Sequence, residues 1–450
     1  MRTSKQLNTT FKMNKNAFYI LISILIFTSC SKENTFETEG NINTETPIEV
    51  IKKPNILLII ADDMGLDASP NYNVGSVKPT LPIIENLAQT GITFNNVWSN
   101  PTCSPTRATI LTGKYGFNTG VLKVDDELST SETSLQKYLD TQLNSTYSSA
   151  VIGKWHLSKD ANHPNNIGLN YYAGSIGGGL KNYWDWDLVI NGEKTPSTYY
   201  NTSKYTDLAI DWVNNQSDPW FLWLAYNAPH TPFHLPPTNL HTQGELPTDD
   251  TSINTNPLPY YLASIEAMDS EIGRLLNEMS TEEKDNTVII FIGDNGTPNQ
   301  VVQEYDSRRA KGSIYQGGIN VPMIISGKNV NRFNEIENSL INTTDLFATI
   351  ANIAGVQVDE INDSKNFIDL FSNSEVKIRD YVYAETENDI TIRNSTHKYL
   401  LFQDGSEALY DLSNDPFETK NLMSSRNLPL SEQDDLIKEE LITKLGNLKN

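Results

Sequence analysis

The stretch Ile56-Leu57-Leu58-Ile59-Ile60-Ala61, followed at once by Asp62-Asp63, indicates the fold class of this 450-residue chain. Its apolar residues are continuous rather than alternating, which is typical of a strand covered on both faces in a parallel sheet flanked by helices. Three later stretches have the same form: 150–152 leads into Lys154 and His156, 220–225 leads into His230, and 287–292 leads into Asp294-Asn295. We therefore predict an α/β fold with a large, mostly parallel sheet flanked by helices.

Helical patterns lie between these strands. We predict helices over 81–88, 104–112, 134–139, 205–213, 260–279 and 346–354. Thr202 and Ser203 are cap candidates for the fourth helix, and Gly355 ends the last. From about residue 377 the chain changes to short β-rich runs followed by a polar final helix.

The polar residues at the strand ends are expected to converge. In open α/β sheets ligands bind beyond the carboxyl ends of the strands, so residues that follow different strands share one crevice. The four predicted strands bring Asp, Lys, His and Asn to that edge.

The motif Cys103-Ser104-Pro105-Thr106-Arg107 precedes or begins a predicted helix. A helix N-terminus offers unpaired N–H groups and the positive end of the helix dipole, which favour an anionic substrate. Cys103 is one of only two cysteines in the chain. We interpret this motif as a place for chemistry on an anion.

With Ala108-Thr109-Ile110-Leu111-Thr112-Gly113 after it, the Cys-x-Pro-x-Arg motif resembles the signature of formylglycine-dependent (type I) sulfatases, in the alkaline phosphatase superfamily. The resemblance implies an alkaline-phosphatase-like sheet and a maturation enzyme that converts Cys103 to formylglycine. It extends over residues 54 to about 425, including Leu409-Tyr410-Asp411-Leu412. It also implies a small C-terminal subdomain made of an antiparallel sheet and a helix.

Asp62, Asp63, Asp294 and Asn295 are hard oxygen donors, which suit calcium or magnesium and suit zinc poorly. The resemblance implies that these four residues and the converted Cys103 hold calcium, with magnesium the less favoured ion. Each pair taken alone is also typical of an ordinary turn.

Three cationic residues and two histidines complete the implied site. Arg107 lies one helical turn after Cys103 and can fork back onto the formylglycine hydroxyls. The resemblance implies that Lys154 and Lys311 contact the sulfate oxygens. It also implies that hydrated formylglycine attacks sulfur, that His230 protonates the departing sugar oxygen, and that His156 helps release sulfate by deprotonating the second hydroxyl.

The substrate is expected to be a sulfated poly- or oligosaccharide. Residues 163–200 are predicted to form a long loop that carries glycines and aromatic residues, and flat aromatic faces suit sugar rings. Trp184, His163 and His234 are the candidates for sugar contact. Packing of this segment onto the sheet is the equally open alternative.

The N-terminus is typical of an exported bacterial lipoprotein. Basic residues precede the apolar run 18–27, which is too short to be a comfortable membrane span, and the following Thr28-Ser29-Cys30 resembles a lipobox. We predict a signal peptide over 1–29, lipidation at Cys30, a flexible tether over 30–53, a catalytic domain over 54–370 and the C-terminal α+β subdomain over 371–450. The protein is then anchored by lipid at the outer membrane, at the cell surface or in the periplasm, with free secretion as the alternative.

The charge balance argues against nucleic acid as a partner. The formal net charge is −22, and removal of the basic leader makes the mature chain more negative still. A sulfated polyanion is also repelled at long range, so it must be recognised by a local cationic pocket.

Two alternative functions are compatible with the sequence. A phosphodiesterase or phosphonate monoester hydrolase of the same superfamily can use the same cysteine motif. A surface glycan-binding lipoprotein without catalysis is the other alternative, and the complete set of motif residues argues against it.

Overall fold

The structure, a computed structural model, describes residues 52–449. The predicted signal peptide, Cys30 lipidation and nearly all of the predicted tether lie outside the described residues. Within residues 52–449, no helix combines the length and the apolar character that crossing a membrane requires.

Eighteen strands are found in this described part of the chain. They are β1 (Asn55–Ala61), β2 (Gly91–Phe94), β3 (Val97–Trp98), β4 (Ser148–Gly153), β5 (Tyr172–Gly174), β6 (Trp186–Ile190), β7 (Glu193–Ser197), β8 (Trp220–Ala225), β9 (Thr287–Gly293), β10 (Met323–Gly327), β11 (Glu335–Glu337), β12 (Ile341–Asn342), β13 (Glu360–Ile361), β14 (Ser364–Lys365), β15 (Val382–Glu385), β16 (Ile390–Arg393), β17 (His397–Leu401) and β18 (Glu407–Asp411).

Ten of these strands form one mixed sheet in the order β11-β2-β10-β9-β1-β8-β4-β5-β6-β7. Its centre, β9-β1-β8-β4-β5, is parallel throughout. Strand β10 is antiparallel to both its neighbours, and β6 is antiparallel to β5 and β7. The predicted α/β fold is confirmed.

Strand β1 shows why its sequence is continuously apolar. Every residue from Asn55 to Ala61 is buried. Ile56, Leu58 and Ile60 enter one hydrophobic core, whereas Leu57, Ile59 and Ala61 enter another. Because successive side chains of a strand point to opposite faces, the sheet has a separate core on each side.

Twelve α-helices are found in the described residues. They are α1 (Pro82–Gln89), α2 (Cys103–Thr112), α3 (Gly116–Thr119), α4 (Leu135–Gln142), α5 (His163–Asn166), α6 (Asn201–Asn214), α7 (Asp250–Thr255), α8 (Leu258–Glu278), α9 (Thr281–Asp285), α10 (Gln316–Ile319), α11 (Asp345–Ile353) and α12 (Glu432–Leu448).

The six predicted helices are present, but α6 begins earlier than predicted. The cap candidates Thr202 and Ser203 lie inside its first turn, and Tyr200 is its N-cap. Asn201 and Thr202 are fully buried, so tertiary packing outweighs their preference for a cap position.

The prediction of a long loop over 163–200 is wrong. This segment contains α5 and the strands β5, β6 and β7, which extend one edge of the main sheet. Asn191 and Gly192 join β6 to β7 with positive φ angles of 47° and 92°. Asn-Gly between two strands is a strong hairpin signal, and the aromatic-rich composition concealed it.

The C-terminal part has the expected small antiparallel sheet, in the order β15-β16-β17-β18. Helix α12 packs against it through Leu441 and Leu445, which join a cluster that contains Ile392 and Tyr399. The predicted domain boundary at residues 370/371 stays a prediction.

Candidate active site

Helix α2 places Cys103 at the centre of the crevice. Cys103 is its first residue and is 1% exposed, and all ten residues of the helix are buried. Gly113 ends the helix in the left-handed conformation, with φ 66°. Burial and then the charge of Asp62 raise the pKa of the Cys103 thiol well above its usual value. The unmodified thiol is therefore protonated and is a poor nucleophile as it stands.

Two carboxylates from the end of β1 contact the sulfur, and a carboxylate and an amide from the end of β9 contact one of these two aspartates. Cys103 Sγ lies 3.3 Å from Asp62 Oδ1 and 3.8 Å from Asp63 Oδ1. From the end of β9, Asp294 Oδ1 accepts the Asp63 N–H at 3.0 Å, and Asn295 Nδ2 donates to Asp63 Oδ1 at 2.8 Å. The convergence predicted for these strand ends is present.

This cluster fits a hard cation. Ligand atoms of Asp62, Asp63, Cys103 and His230 lie within 4.8 Å of one another. Asn295 Oδ1 is buried and accepts no hydrogen bond within the described residues. A buried amide oxygen without a partner, beside two carboxylates, is an arrangement that a calcium or magnesium ion would satisfy.

Two buried cations, Arg107 and Lys154, and the partly exposed Lys311 neutralise these carboxylates. Lys154 Nζ lies 2.5 Å from Asp62 Oδ2, Lys311 Nζ lies 2.6 Å from Asp63, and Arg107 Nη2 lies 2.8 Å from Asp294 Oδ2. Burial raises the pKa of Asp62, but the positive charges around it, led by that of Lys154, outweigh burial and hold the pKa well below its usual value. Asp62 is therefore ionised.

A close approach of two strands directs Lys154 into the crevice. A Cβ on Gly153 would lie 1.9 Å from the carbonyl oxygen of Ala225, so only glycine fits at this position. The next residue, Lys154, donates its N–H to that same carbonyl at 2.8 Å. Its side chain then leaves the end of β4 fully buried.

The two predicted catalytic histidines contact different carboxylates, His230 that of Asp63 and His156 that of Asp125. His230 Nε2 is 3.7 Å from Asp63 Oδ2, and His230 Nδ1 is 2.7 Å from the Thr231 carbonyl. His156 has a left-handed backbone, with φ 59°, and its Nε2 is 3.0 Å from Asp125 Oδ1. Burial lowers the pKa of both histidines, that of His156 to about 3.

Comparison with known proteins identifies the family. The sulfatase family model matches residues 54–356. The chain belongs to the sulfatase family. This membership makes the chain a sulfatase, an enzyme that hydrolyses sulfate esters.

The individual relatives have low sequence identity to this chain, but the alignments cover most of it. The uncharacterized sulfatase YdeN of Escherichia coli is 26% identical over 373 residues, which are 70% of this chain and 65% of the relative. The ulvan-active sulfatase of Formosa agariphila is 24% identical over 466 residues, 92% of this chain and 85% of the relative. The crystal structure of Ps i-CgsB in complex with k-i-k-neocarrahexaose has a TM-score of 0.75 at 25% identity, covering 88% of this chain and 93% of the other.

Of the three predicted sugar contacts in this sulfatase, only Trp184 presents a substantially exposed side chain. Its exposure is 37%. His234 is 9% exposed, lies with its ring centroid 3.8 Å from that of Tyr183, and is 3.1 Å from the Tyr200 hydroxyl. His234 therefore packs against Tyr183 and Tyr200 instead of lying at the protein surface.

The structure does not support a sugar contact by His163. This residue is 1% exposed, Trp155 Nε1 donates to its Nδ1 at 3.1 Å, and its Nε2 is 2.7 Å from the Leu128 carbonyl. Both ring nitrogens are occupied inside the protein. A histidine in a polar stretch gave no sign of this burial in the sequence.

Three residues of the site were missed in the sequence. Asn227 lies just beyond the end of β8, with Tyr226 between them, and the strand-end rule that found His230 could have found it. The Tyr183 hydroxyl lies 2.8 Å from the His230 carbonyl and 2.9 Å from that of Asn227, so it fixes the turn that carries His230. Asp125 lies in a loop whose sequence has no motif or period that would have revealed its contact with His156.

Proposed function

We propose that this sulfatase removes sulfate from a sulfated poly- or oligosaccharide, using formylglycine at position 103 and a calcium ion. One observation carries the proposal: Cys103 begins a buried helix and lies inside a shell of carboxylates that are themselves paired with Arg107, Lys154 and Lys311. Such a shell accommodates a cation and a bound anion together.

Asp62, Asp63, Asp294 and Asn295 would hold the calcium ion, with magnesium as the less favoured alternative. A bound divalent cation polarises oxygen atoms of the nucleophile and of the sulfate ester. Formylglycine, once formed and hydrated, supplies a hydroxyl nucleophile in place of the protonated thiol.

The remaining side chains bind sulfate and move protons. Lys154 and Lys311 have ammonium groups beside the cluster and would contact the sulfate oxygens. His230, whose Nε2 faces Asp63, would protonate the departing sugar oxygen, because an unassisted alkoxide is a poor leaving group. His156 would accept the proton removed when sulfate is released.

Two relatives support a carbohydrate as the substrate. One is named an ulvan-active sulfatase, and the other was crystallised with k-i-k-neocarrahexaose. Exposed Trp184 near the His230 turn offers a flat face for a sugar ring.

We also propose that the protein is exported and lipid-anchored through Cys30, on the cell surface or in the periplasm. The basic leader, the apolar run 18–27 and the lipobox-like Thr28-Ser29-Cys30 support this proposal. A maturation enzyme would convert Cys103 in the producing cell.

A comparison of two ester substrates tests the reaction. We expect kcat/KM for 4-nitrophenyl sulfate to exceed that for bis(4-nitrophenyl) phosphate by at least about tenfold, a difference of about 1.4 kcal/mol in transition-state stabilisation. The expectation follows from the family, whose reaction is cleavage of a sulfate ester, whereas the phosphodiester carries a second aryl group. Cys103→Ala is the control and should remove both activities.

Preference for the phosphodiester would instead assign the chain a diesterase activity. Tight glycan binding without turnover by the matured protein would favour the binding-protein alternative.

A further inference from the structure

His156 has one ring nitrogen engaged and the other without a partner. Its Nε2 is 3.0 Å from Asp125 Oδ1. Its Nδ1 is buried and has no hydrogen-bond partner within residues 52–449. A neutral imidazole carries one N–H, and an ionised carboxylate can only accept a hydrogen bond. The hydrogen therefore belongs on Nε2, which leaves the lone pair on Nδ1.

Asp125 is tied to the site by hydrogen bonds to Ser104 and His156, although it lies in a loop and its side chain is 52% exposed. Its backbone is left-handed, with φ 66°, a conformation that Asp and Asn tolerate better than most residues. Its N–H donates to Ser104 Oγ at 3.3 Å, and Ser104 is the second residue of α2. The loop is thus tied to the helix that begins with Cys103.

The imidazole of His156 is also confined from one side. A Cβ on Gly178 would lie 2.1 Å from His156 Nε2 and 2.3 Å from Cε1, so the glycine backbone packs directly on the ring. The His156 N–H donates to the Ile176 carbonyl at 3.0 Å, which fixes the backbone as well. The ring has little freedom to exchange its two nitrogens.

We propose that Asp125 is a positioning residue that fixes the tautomer of His156, so that Nδ1 is the proton acceptor during sulfate release. The proposal rests on the proposed function. In that step the second hydroxyl of the sulfated formylglycine gives its proton to Nδ1, the carbon–oxygen bond to sulfate breaks, and the aldehyde C=O bond forms again as sulfate leaves. The imidazolium keeps Nε2–H on Asp125, and Asp125 stays ionised throughout. This is the role of a carboxylate that orients a histidine base and stabilises its charged form.

Some features of the surroundings of His156 lower its pKa, and others raise it. Burial, Lys154 and Arg107 disfavour the imidazolium, whereas Asp62 and Asp125 favour it. Lys159 Nζ is 3.6 Å from Asp125 Oδ2 and is 80% exposed. Removal of the Asp125 charge should therefore make His156 a weaker base.

Asp125→Asn tests the proposal, because asparagine retains the left-handed backbone while its amide can donate to Nε2. Glu127→Gln is the matched control, since it makes the same chemical change at an exposed position of the same loop. We expect Asp125→Asn to lower kcat for 4-nitrophenyl sulfate about 10- to 100-fold, within the range of a general-base contribution.

KM should fall together with kcat, leaving kcat/KM within about threefold of wild type, because sulfate release follows departure of the alcohol. The acidic limb of the kcat profile should move to lower pH, since loss of the carboxylate lowers the pKa of His156. A kcat within about twofold of wild type, with an unmoved limb, overturns the proposal.

A second measurement does not depend on turnover. Nitrogen-15 NMR of the histidine-labelled wild-type protein, assigned with His156→Gln, should show His156 neutral with its hydrogen on Nε2. A hydrogen on Nδ1 overturns the proposal even if Asp125→Asn fails to fold. Absence of sulfatase activity in the wild type would instead refute the proposed function, because the tautomer is measured separately.

Discussion

Asp294 connects the candidate cation site with the guanidinium group of Arg107. Its Oδ1 accepts the Asp63 N–H at 3.0 Å, and its Oδ2 lies 2.8 Å from Arg107 Nη2. Burial raises the pKa of Asp294, with the charge of Asp62 adding to the rise. A bound divalent cation would counter both effects by stabilising the carboxylate.

We predict that Asp294→Ala loses bound calcium and lowers kcat at least about 100-fold, because a ligand is removed and the buried Arg107 loses its closest carboxylate. Elemental analysis after dialysis and a turnover assay on the same sample measure the two effects. Asp285→Ala, an exposed position just before β9, should retain both calcium and activity. Near-normal activity of Asp294→Ala without calcium would refute the metal assignment.

For individual residues, the sequence predicted most of the side chains that meet in the active site. Asp62, Lys154, His230 and Asp294 were expected together because each follows a buried strand, and the structure brings them together. Asp125 escaped prediction because it reaches His156 across 31 positions from an irregular loop. Such a contact depends on three-dimensional packing and leaves no local pattern.

At the level of secondary structure, the C-terminal sheet is linked through Glu418 to the start of α10, shortly after Lys311 in the chain. Lys398 on β17 is fully buried, with Nζ 2.7 Å from Glu418 Oε1 and 5.0 Å from the ring of Trp98. Glu418 Oε2 accepts the Gln316 N–H at 2.6 Å, at the start of α10. Burial lowers the pKa of Lys398 to about 8, and the charge of Glu418 opposes this shift.

We predict that Lys398→Met lowers the free energy of unfolding by about 3–5 kcal/mol, because it leaves the Glu418 carboxylate buried and unpaired. Lys398→Met combined with Glu418→Gln should recover most of that loss, since no buried charge then remains. Denaturant unfolding of both variants measures the difference. Lys181→Met, which removes the exposed pair with Asp185, should change stability little.

Equal losses in the single and the double variant would show that packing, rather than the buried charge, holds this contact together.

The elements themselves were predicted unequally. The continuous apolar run of β1 and the long amphipathic α8 were visible in the sequence because burial imposes their patterns. The hairpin β6–β7 was missed, although Asn191-Gly192 signals it, because the aromatic and glycine residues before it suggested a binding loop. One of these aromatic residues, Tyr183, is 1% exposed and therefore packs in the protein interior instead of lining a binding loop.

For the molecule as a whole, a strongly negative chain carries a site in which three cations offset the charge of three carboxylates. The chain carries a formal net charge of −22, yet its reaction would involve an anionic ester. The structure reconciles these facts locally, because Arg107, Lys154 and Lys311 converge on the buried carboxylates near Cys103. Composition alone gave an argument against nucleic acid as a partner, but it could not show where these cations meet.

The central claim is that Cys103 reacts in an oxidised form. Peptide mass spectrometry across Cys103 tests it most directly, on protein produced together with a formylglycine-generating enzyme that modifies a reference substrate in the same cells. We predict the mass loss that accompanies conversion of a thiol to an aldehyde. A peptide that keeps the mass of unmodified cysteine, while the reference substrate is converted, would contradict the account.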